Sequence, residues 1–244
     1  MNYKAVLQYD GTRYRGWQTQ GNTDNTIQGK LETLLTKMAG EPVEVNGSGR
    51  TDAGVHAAGQ VISFRCKTKE SPEEICRYMN EYLPEDIAVL SVEEAAPRFH
   101  ARLNAVRKTY VYRIWNAPVR NVFRRRFTTW IQKPLDLETM EQAAAFMCGT
   151  HDYRAFCSLK KFKKSTVRTI EKIEIGKIGQ EIRISYTGDG FLYHMVRILT
   201  GTLVEVGLGL RKPEEMTEIL DGQDRTKAGR LMPPEGLTLE SVEY

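Results

Sequence analysis

The 244-residue sequence contains few cysteines and no long apolar run. Its four cysteines, Cys66, Cys76, Cys148 and Cys157, form no Cys-x-x-Cys pair. This spacing argues against a disulfide framework or a zinc ribbon and favours reduced thiols. No apolar stretch reaches the roughly 18 residues that a membrane span needs, and residues 1–9 alternate like a strand rather than a secretory signal. These absences predict a cytoplasmic protein without a membrane segment.

Acidic residues are missing from residues 98–126, although the net charge of the whole chain is only +4. That stretch holds nine arginines and lysines interleaved with aromatic residues, and a second basic cluster follows at residues 160–168. A solvated surface normally mixes both signs of charge. Basic stripes with aromatics are instead typical of proteins that bind a phosphate backbone and unstacked bases. The charge pattern therefore favours a nucleic-acid partner.

A nucleotide-binding phosphate loop is also missing. Gly47-Ser-Gly49 begins like Gly-x-Gly-x-x-Gly, but Asp52 occupies the place of the last glycine and no Gly-Lys-Ser/Thr follows. A carboxylate in a phosphate cradle would repel the ligand, which excludes this kind of site.

The glycine-rich stretch 46–59 is the most informative part of the chain. Its four glycines indicate positive φ angles or close backbone approach, and Arg50 and Asp52 lie among small neighbours between two predicted strands. An ordinary surface turn would also explain glycine and aspartate here. Arg197 favours a functional interpretation, because a cation inside the apolar helical segment Met195-Val-Arg-Ile-Leu is costly unless it is paired. We therefore take Asp52 as a candidate nucleophile and Arg197 as its candidate partner.

Periodicity predicts an α+β fold. Strand and helix patterns alternate up to about residue 92, and the pattern breaks near Pro97, so we place a first domain at residues 1–105 and a second at 106–244. We expect two ferredoxin-like α/β halves that form one mixed, largely antiparallel sheet, with helices packed on it and a central basic cleft. Tyr14 and Trp17, in an irregular loop after the first strand, are expected to be exposed.

The first predicted strand of the second domain presents a second candidate group. Tyr110 lies mid-strand beside Arg107 and Lys108. A cross-strand aromatic contact would explain the tyrosine, but its ring is also suited to stacking on an extruded base.

Several motifs resemble those of the tRNA pseudouridine synthase A family. They are Tyr9-Asp-Gly-Thr-x-Tyr-x-Gly-Trp-Gln18, Gly49-Arg-Thr-Asp-Ala-Gly-Val-His56, Arg107-Lys-Thr-Tyr-x-Tyr-Arg113 and Phe191-Leu-Tyr-x-Met-Val-Arg197, together with His151-Asp-Tyr-x-x-Phe156 and Pro233-Pro-Glu-Gly-Leu-x-Leu239. The similarity runs in order along essentially the whole chain.

The resemblance implies an isomerase that converts uridine to pseudouridine at positions 38, 39 and 40 of the tRNA anticodon stem-loop. It implies that Asp52 is the nucleophile, that Arg50 helps to displace the base, that Tyr110 stacks on it and that Arg197 pairs with the carboxylate. We add Arg107, Lys108 and His56, which lie in the same motifs, as substrate-binding residues. A homodimer with tRNA across both subunits, and no cofactor or metal, are also implied.

Two other classes of function remain open at this level. A non-catalytic RNA-binding protein could use the same basic and aromatic surface. A glycoside-type hydrolase would usually need a second carboxylate, for which Asp189 is the obvious candidate.

Overall fold

The computed structural model describes Met1–Tyr244 and contains two compact units. Unit 1 comprises Met1–Val106 and Thr238–Tyr244, and unit 2 comprises Arg107–Leu237. The predicted second domain, residues 106–244, includes this C-terminal part of unit 1. The residues from Thr238 onward group with unit 1 because their strand pairs with a strand of that unit.

Unit 1 has the element order β1 (Asn2–Tyr9), α1 (Ile27–Ala39), β2 (Val45–Gly47), β3 (His56–Arg65), α2 (Pro72–Tyr82), β4 (Ile87–Glu94) and β10 (Leu237–Glu243). Strand β1 pairs antiparallel with β3 and β4, β2 pairs antiparallel with β3, and β10 runs parallel to β3. The first six elements follow the βαββαβ order of a ferredoxin-like unit.

Unit 2 contains β5 (Arg107–Asn116), β6 (Thr129–Ile131), α3 (Leu137–Met147), β7 (Gly149–Asp152), β8 (Val167–Ile178), β9 (Glu181–Gly188), α4 (Met195–Gly207) and α5 (Glu215–Gly222). Its sheet has the antiparallel order β5-β9-β8-β7, and β6 runs parallel to β5. The series β5, α3, β8, β9, α4 repeats the order of unit 1. The predicted α+β class, with a mixed, largely antiparallel sheet and packed helices, is confirmed; the basic cleft stays a prediction.

Local sequence signals account for several helix ends. The Thr26 side chain accepts a hydrogen bond from Gly29 N–H at the start of α1, and Gly40 ends that helix with a φ of 70°. Ser71 and Glu74 form a reciprocal capping box at the start of α2. Helix α4 begins only at Met195 because His194, just before it, has a φ of 67°, outside the helical region.

Each unit has its own apolar core. In unit 1, Leu31 and Leu35 of α1 are buried, as are Leu7 and Phe64 of the sheet. In unit 2, α4 is buried on almost every side and packs against α3. No helix combines the length and hydropathy required to span a bilayer.

Candidate active site

The segment carrying Asp52 is a tight loop between β2 and β3 of unit 1. The backbone N–H of Val55 donates to the carbonyl of Asp52 at 3.1 Å, and Gly54 adopts a φ of 79° within that turn. Thr51 and Val55 are buried on either side, whereas Asp52 is half-buried and Arg50 is exposed. Asp52 therefore lies half-buried in a turn whose flanking residues are buried.

A chain of buried hydrogen bonds supports this loop from the sheet. The hydroxyls of Tyr9 and Thr51 lie 2.8 Å apart, and the amide of Gln60 donates to the carbonyl of Gly49 at 3.0 Å. Ser48 donates from its hydroxyl to the side-chain carbonyl of Gln60 at 2.6 Å. Burial raises the pKa of Tyr9 to about 12, with the Thr51 and Gln60 hydrogen bonds acting in the opposite direction. Tyr9 is thus a neutral, fixed support for the loop at physiological pH.

The segment after β1 packs against the Asp52 loop. Trp17 donates its backbone N–H to the carbonyl of Thr51 at 3.0 Å. At Gly11, an added Cβ would lie only 2.0 Å from the carbonyl oxygen of Val55, so the close approach of the two backbones requires glycine there. The expectation that Tyr14 and Trp17 are exposed is wrong, since they are 5% and 3% exposed. They are buried because the Trp17 ring packs on Gly47 and the Tyr14 hydroxyl donates to Asp86.

His56 lies beneath the same loop. It is 2% exposed, and its Nδ1 accepts a hydrogen bond from the backbone N–H of Gly11 at 3.0 Å. A carboxylate oxygen of Asp10 lies 3.2 Å from the same nitrogen. The structure places His56 where it can support the Asp52 loop, and its contact with substrate stays a prediction.

In unit 2, Tyr110 lies on β5 with its ring largely covered. The side chain is 8% exposed, and the Phe191 ring meets it edge-on at a centroid distance of 5.3 Å. Arg107, at the start of the same strand, donates from Nε to the carboxylate of Glu171 at 2.7 Å, and Lys108 next to it is half-buried. Strand β5 therefore carries all three of these predicted residues within one short segment.

Arg197 is a buried cation in the first turn of α4. It is 8% exposed, and its Nε donates to the carbonyl of Met232 at 2.7 Å. The Met232 N–H returns a bond to the Arg197 carbonyl at 3.3 Å, so this pair holds the base of the side chain in place. Because its Nε edge is fixed, the direction in which the Arg197 guanidinium points is determined.

Sequence reasoning gave no role to several residues that build the site. Tyr9, Gly11 and Trp17 belong to a motif that carried part of the family resemblance, yet only the structure shows that they form the wall of the Asp52 loop. Their spacing within one short segment after a strand was the available signal. No group of three or more histidine, cysteine or acidic side chains is arranged to hold a metal ion.

Comparison with known proteins identifies the family. The family model described as tRNA pseudouridine synthase matches residues 5–104 and 143–244. A protein of Bacillus sp. (strain KSM-64) named tRNA pseudouridine synthase A is 47% identical over 243 residues, covering 100% of this chain and 99% of that one. A protein of the same name from Brevibacillus brevis is 46% identical and covers 99% of this chain and 98% of its own length. A protein of Bacillus anthracis named tRNA pseudouridine synthase A 2 is 44% identical and covers 100% of this chain and 99% of its own length.

The chain therefore belongs to the tRNA pseudouridine synthase family. Pseudouridine synthases are isomerases, which is the enzyme class predicted from the motifs. The full-length relatives carry the name of synthase A, the subfamily that the motifs resemble.

Proposed function

We propose that this enzyme converts uridine to pseudouridine at positions 38, 39 and 40 of the tRNA anticodon stem-loop. In that reaction the N1–C1′ bond breaks, the uracil turns, and a C5–C1′ bond forms. The proton lost from C5 is balanced by one gained at N1, so no oxidant, reductant or group donor is consumed. A chain that supplies an aimed carboxylate and a binding surface for RNA is sufficient for such an isomerisation.

The observation that carries the proposal is the construction of the Asp52 loop. The segment after β1, which is distant in sequence, and Gln60 of the neighbouring strand β3 fix its backbone, while Asp52 itself is half-buried. A carboxylate nucleophile depends on being aimed at the reacting base, which a fixed loop backbone provides. We assign Asp52 as the nucleophile towards a base flipped out of its stack.

The other assignments depend on the family resemblance and on where each side chain lies. Arg197, buried and held by the Met232 carbonyl, is proposed to orient the Asp52 carboxylate. Tyr110 is proposed to stack on the flipped base, and the exposed Arg50 to displace it from the helix. Arg107, Lys108 and His56 are proposed to bind or support the substrate. We also propose a cytoplasmic homodimer with tRNA lying across both subunits.

The test is an Asp52→Asn variant, which keeps the size of the side chain but removes the charge. Pseudouridine is mapped in an unmodified tRNA transcript after incubation with the wild type or the variant. We expect turnover to fall by at least about 10³-fold while the variant remains folded at the assay temperature. A folded Asp52→Asn protein with near wild-type conversion would remove Asp52 from the nucleophile's role.

Asp189→Asn is the matched control. Asp189 is an exposed carboxylate that accepts a hydrogen bond from the Thr169 N–H at 3.0 Å, and the proposed reaction gives it no chemical role. A large loss of turnover in this variant, together with release of free uracil by the wild type, would instead support the hydrolase alternative.

A further inference from the structure

An ordered loop in unit 2 holds a phenylalanine out in solvent. Residues 117–128 connect β5 to β6, and Phe123 near the middle of this loop is 93% exposed. Val119 and Val122 of the same loop are 75% and 58% exposed. Single exposed apolar residues are common, but a cluster of them on one loop marks an interaction surface.

The conformation of the 117–128 loop is fixed by internal hydrogen bonds. The indole N–H of Trp115 donates to the Val119 carbonyl at 3.0 Å, and that of Trp130 donates to the Ala117 carbonyl at 2.8 Å. The Asn121 side chain accepts from Phe123 N–H at 3.1 Å, which fixes the backbone at the phenylalanine itself. A loop so bonded presents its apolar residue without first having to become ordered, which reduces the entropy cost of binding.

A buried carboxylate anchors the loop to the sheet. Glu181 of β9 is 3% exposed and accepts hydrogen bonds from Arg124 Nη1 and Arg183 Nε, each at 2.6 Å. Arg124 thus has a structural task, although the sequence pattern treats it as one of several equivalent cations. The arginines of the loop therefore differ in role. Arg125 is exposed and donates from Nη1 to the Val122 carbonyl at 2.8 Å, which leaves the other N–H groups of its guanidinium to contact an anion.

The charge of the loop indicates its partner. Residues 117–128 contain four arginines and no acidic residue, so the exposed phenylalanine lies in a positive field. Two copies of such a loop meeting across a twofold axis would repel each other. An RNA strand provides both phosphates for the arginines and unpaired bases with flat faces for the aromatic ring.

We propose that the 117–128 loop is an RNA-contact element in which Phe123 stacks on an unpaired base of the RNA substrate, outside the catalytic residues assigned above. Arg125 contacts the adjoining phosphate, and Arg124 holds the loop in position through Glu181. This inference rests on the proposed function in taking tRNA as the RNA.

The experiment measures the affinity of Phe123→Ser and Phe123→Tyr for an unmodified tRNA transcript at several salt concentrations. Stacking of one base predicts that Phe123→Ser weakens the affinity about tenfold, equivalent to about 1.4 kcal/mol. Phe123→Tyr should bind like the wild type because it retains an aromatic face. Leu210→Ser is the matched control, since Leu210 is 70% exposed and lies outside the loop.

The salt dependence separates stacking from charge contacts. Stacking releases no counterions, so Phe123→Ser should lower the affinity at every salt concentration without changing the slope of log K against log salt. Arg125→Gln should reduce the magnitude of that slope by about 1, the value expected for the loss of one phosphate contact. Equal affinities for Phe123→Ser and the wild type, or the same loss in Leu210→Ser, would overturn the proposal.

A second copy of the chain is the alternative partner. Sedimentation of Phe123→Ser without RNA tests it, because loss of an oligomer in this variant would assign the loop to protein contact and overturn RNA stacking. The binding measurement needs no turnover. A wild-type protein that binds tRNA but forms no pseudouridine would therefore refute the proposed function alone.

Discussion

Replacing Gly11 by alanine should displace the Asp52 loop without touching any proposed catalytic group. The new Cβ would lie 2.0 Å from the carbonyl oxygen of Val55 and 2.6 Å from its carbon, whereas real Cβ contacts stay beyond 3.0 Å. The Val55 carbonyl must therefore move away by about 1 Å, so that its oxygen goes from 2.0 Å to the 3.0 Å limit. Val55 closes the turn on the Asp52 carbonyl, so the movement reaches the carboxylate.

A misplacement of about 1 Å at a reacting group lowers a rate by about 10²-fold. We expect Gly11→Ala to slow pseudouridine formation by that factor, measured in a single turnover with enzyme in excess over tRNA. Strain from the inserted methyl group should also reduce the free energy of unfolding by about 1–3 kcal/mol. The rate is therefore measured well below the melting temperature of the variant.

Gly21→Ala is the control for this prediction. Gly21 lies between the same two elements, β1 and α1, but an added Cβ there would have no atom within 4 Å. It should leave both rate and stability close to those of the wild type. A folded Gly11→Ala protein that reacts within about threefold of the wild-type rate would refute the idea that this backbone contact aims Asp52.

Three further predictions concern charge and buried polar groups. Burial raises the pKa of Tyr9 from 10.0 to about 12, so its contribution to stability is complete below pH 10 and is lost as the pH rises through 12. Tyr9→Phe should flatten the fall of unfolding free energy above pH 10, and parallel curves would contradict this. Glu181→Gln should lower the free energy of unfolding by about 1–2 kcal/mol, less than the loss of a fully buried ion pair because its arginine partners are half-exposed. It should also weaken tRNA binding. A urea midpoint equal to that of the wild type would contradict the anchoring role of Glu181. Arg197→Met should lower turnover at least tenfold while changing tRNA affinity less than about threefold; an equal loss of both would indicate that Arg197 contacts phosphate.

The parts of the fold that sequence predicts well are those set by neighbours along the chain. The cap at Thr26, the capping box at Ser71 and the hairpin between β8 and β9 each depend on residues a few positions apart, so local sequence signals are enough to specify them. Strand β10 was missed because its partner β3 lies far away in sequence and the pairing is parallel. Short β6 and β7 were missed for a similar reason, since three or four residues carry too little periodicity.

In the candidate site, too, features set by nearby residues could be predicted and features set by distant residues could not. Motif residues identified Asp52, Arg197 and Tyr110 as candidates, and the structure gives each a defined position within its own unit. The burial of Trp17 could not be read from sequence, because it depends on Gly47 coming close to the indole ring. The sequence also could not show that Arg124 differs in role from the other loop arginines, because its partner Glu181 lies more than fifty positions later.

The pairing of β10 with β3 has a consequence for synthesis on the ribosome. The sheet of unit 1 receives this strand only after the whole of unit 2 has been translated, and Tyr244 then bonds through its hydroxyl to the Ala101 carbonyl. Until then one edge of β3 has exposed backbone groups that could pair with another nascent chain. The first half to emerge is thus among the last to be completed, and the growing polypeptide must keep that edge from aggregating while the second half is made.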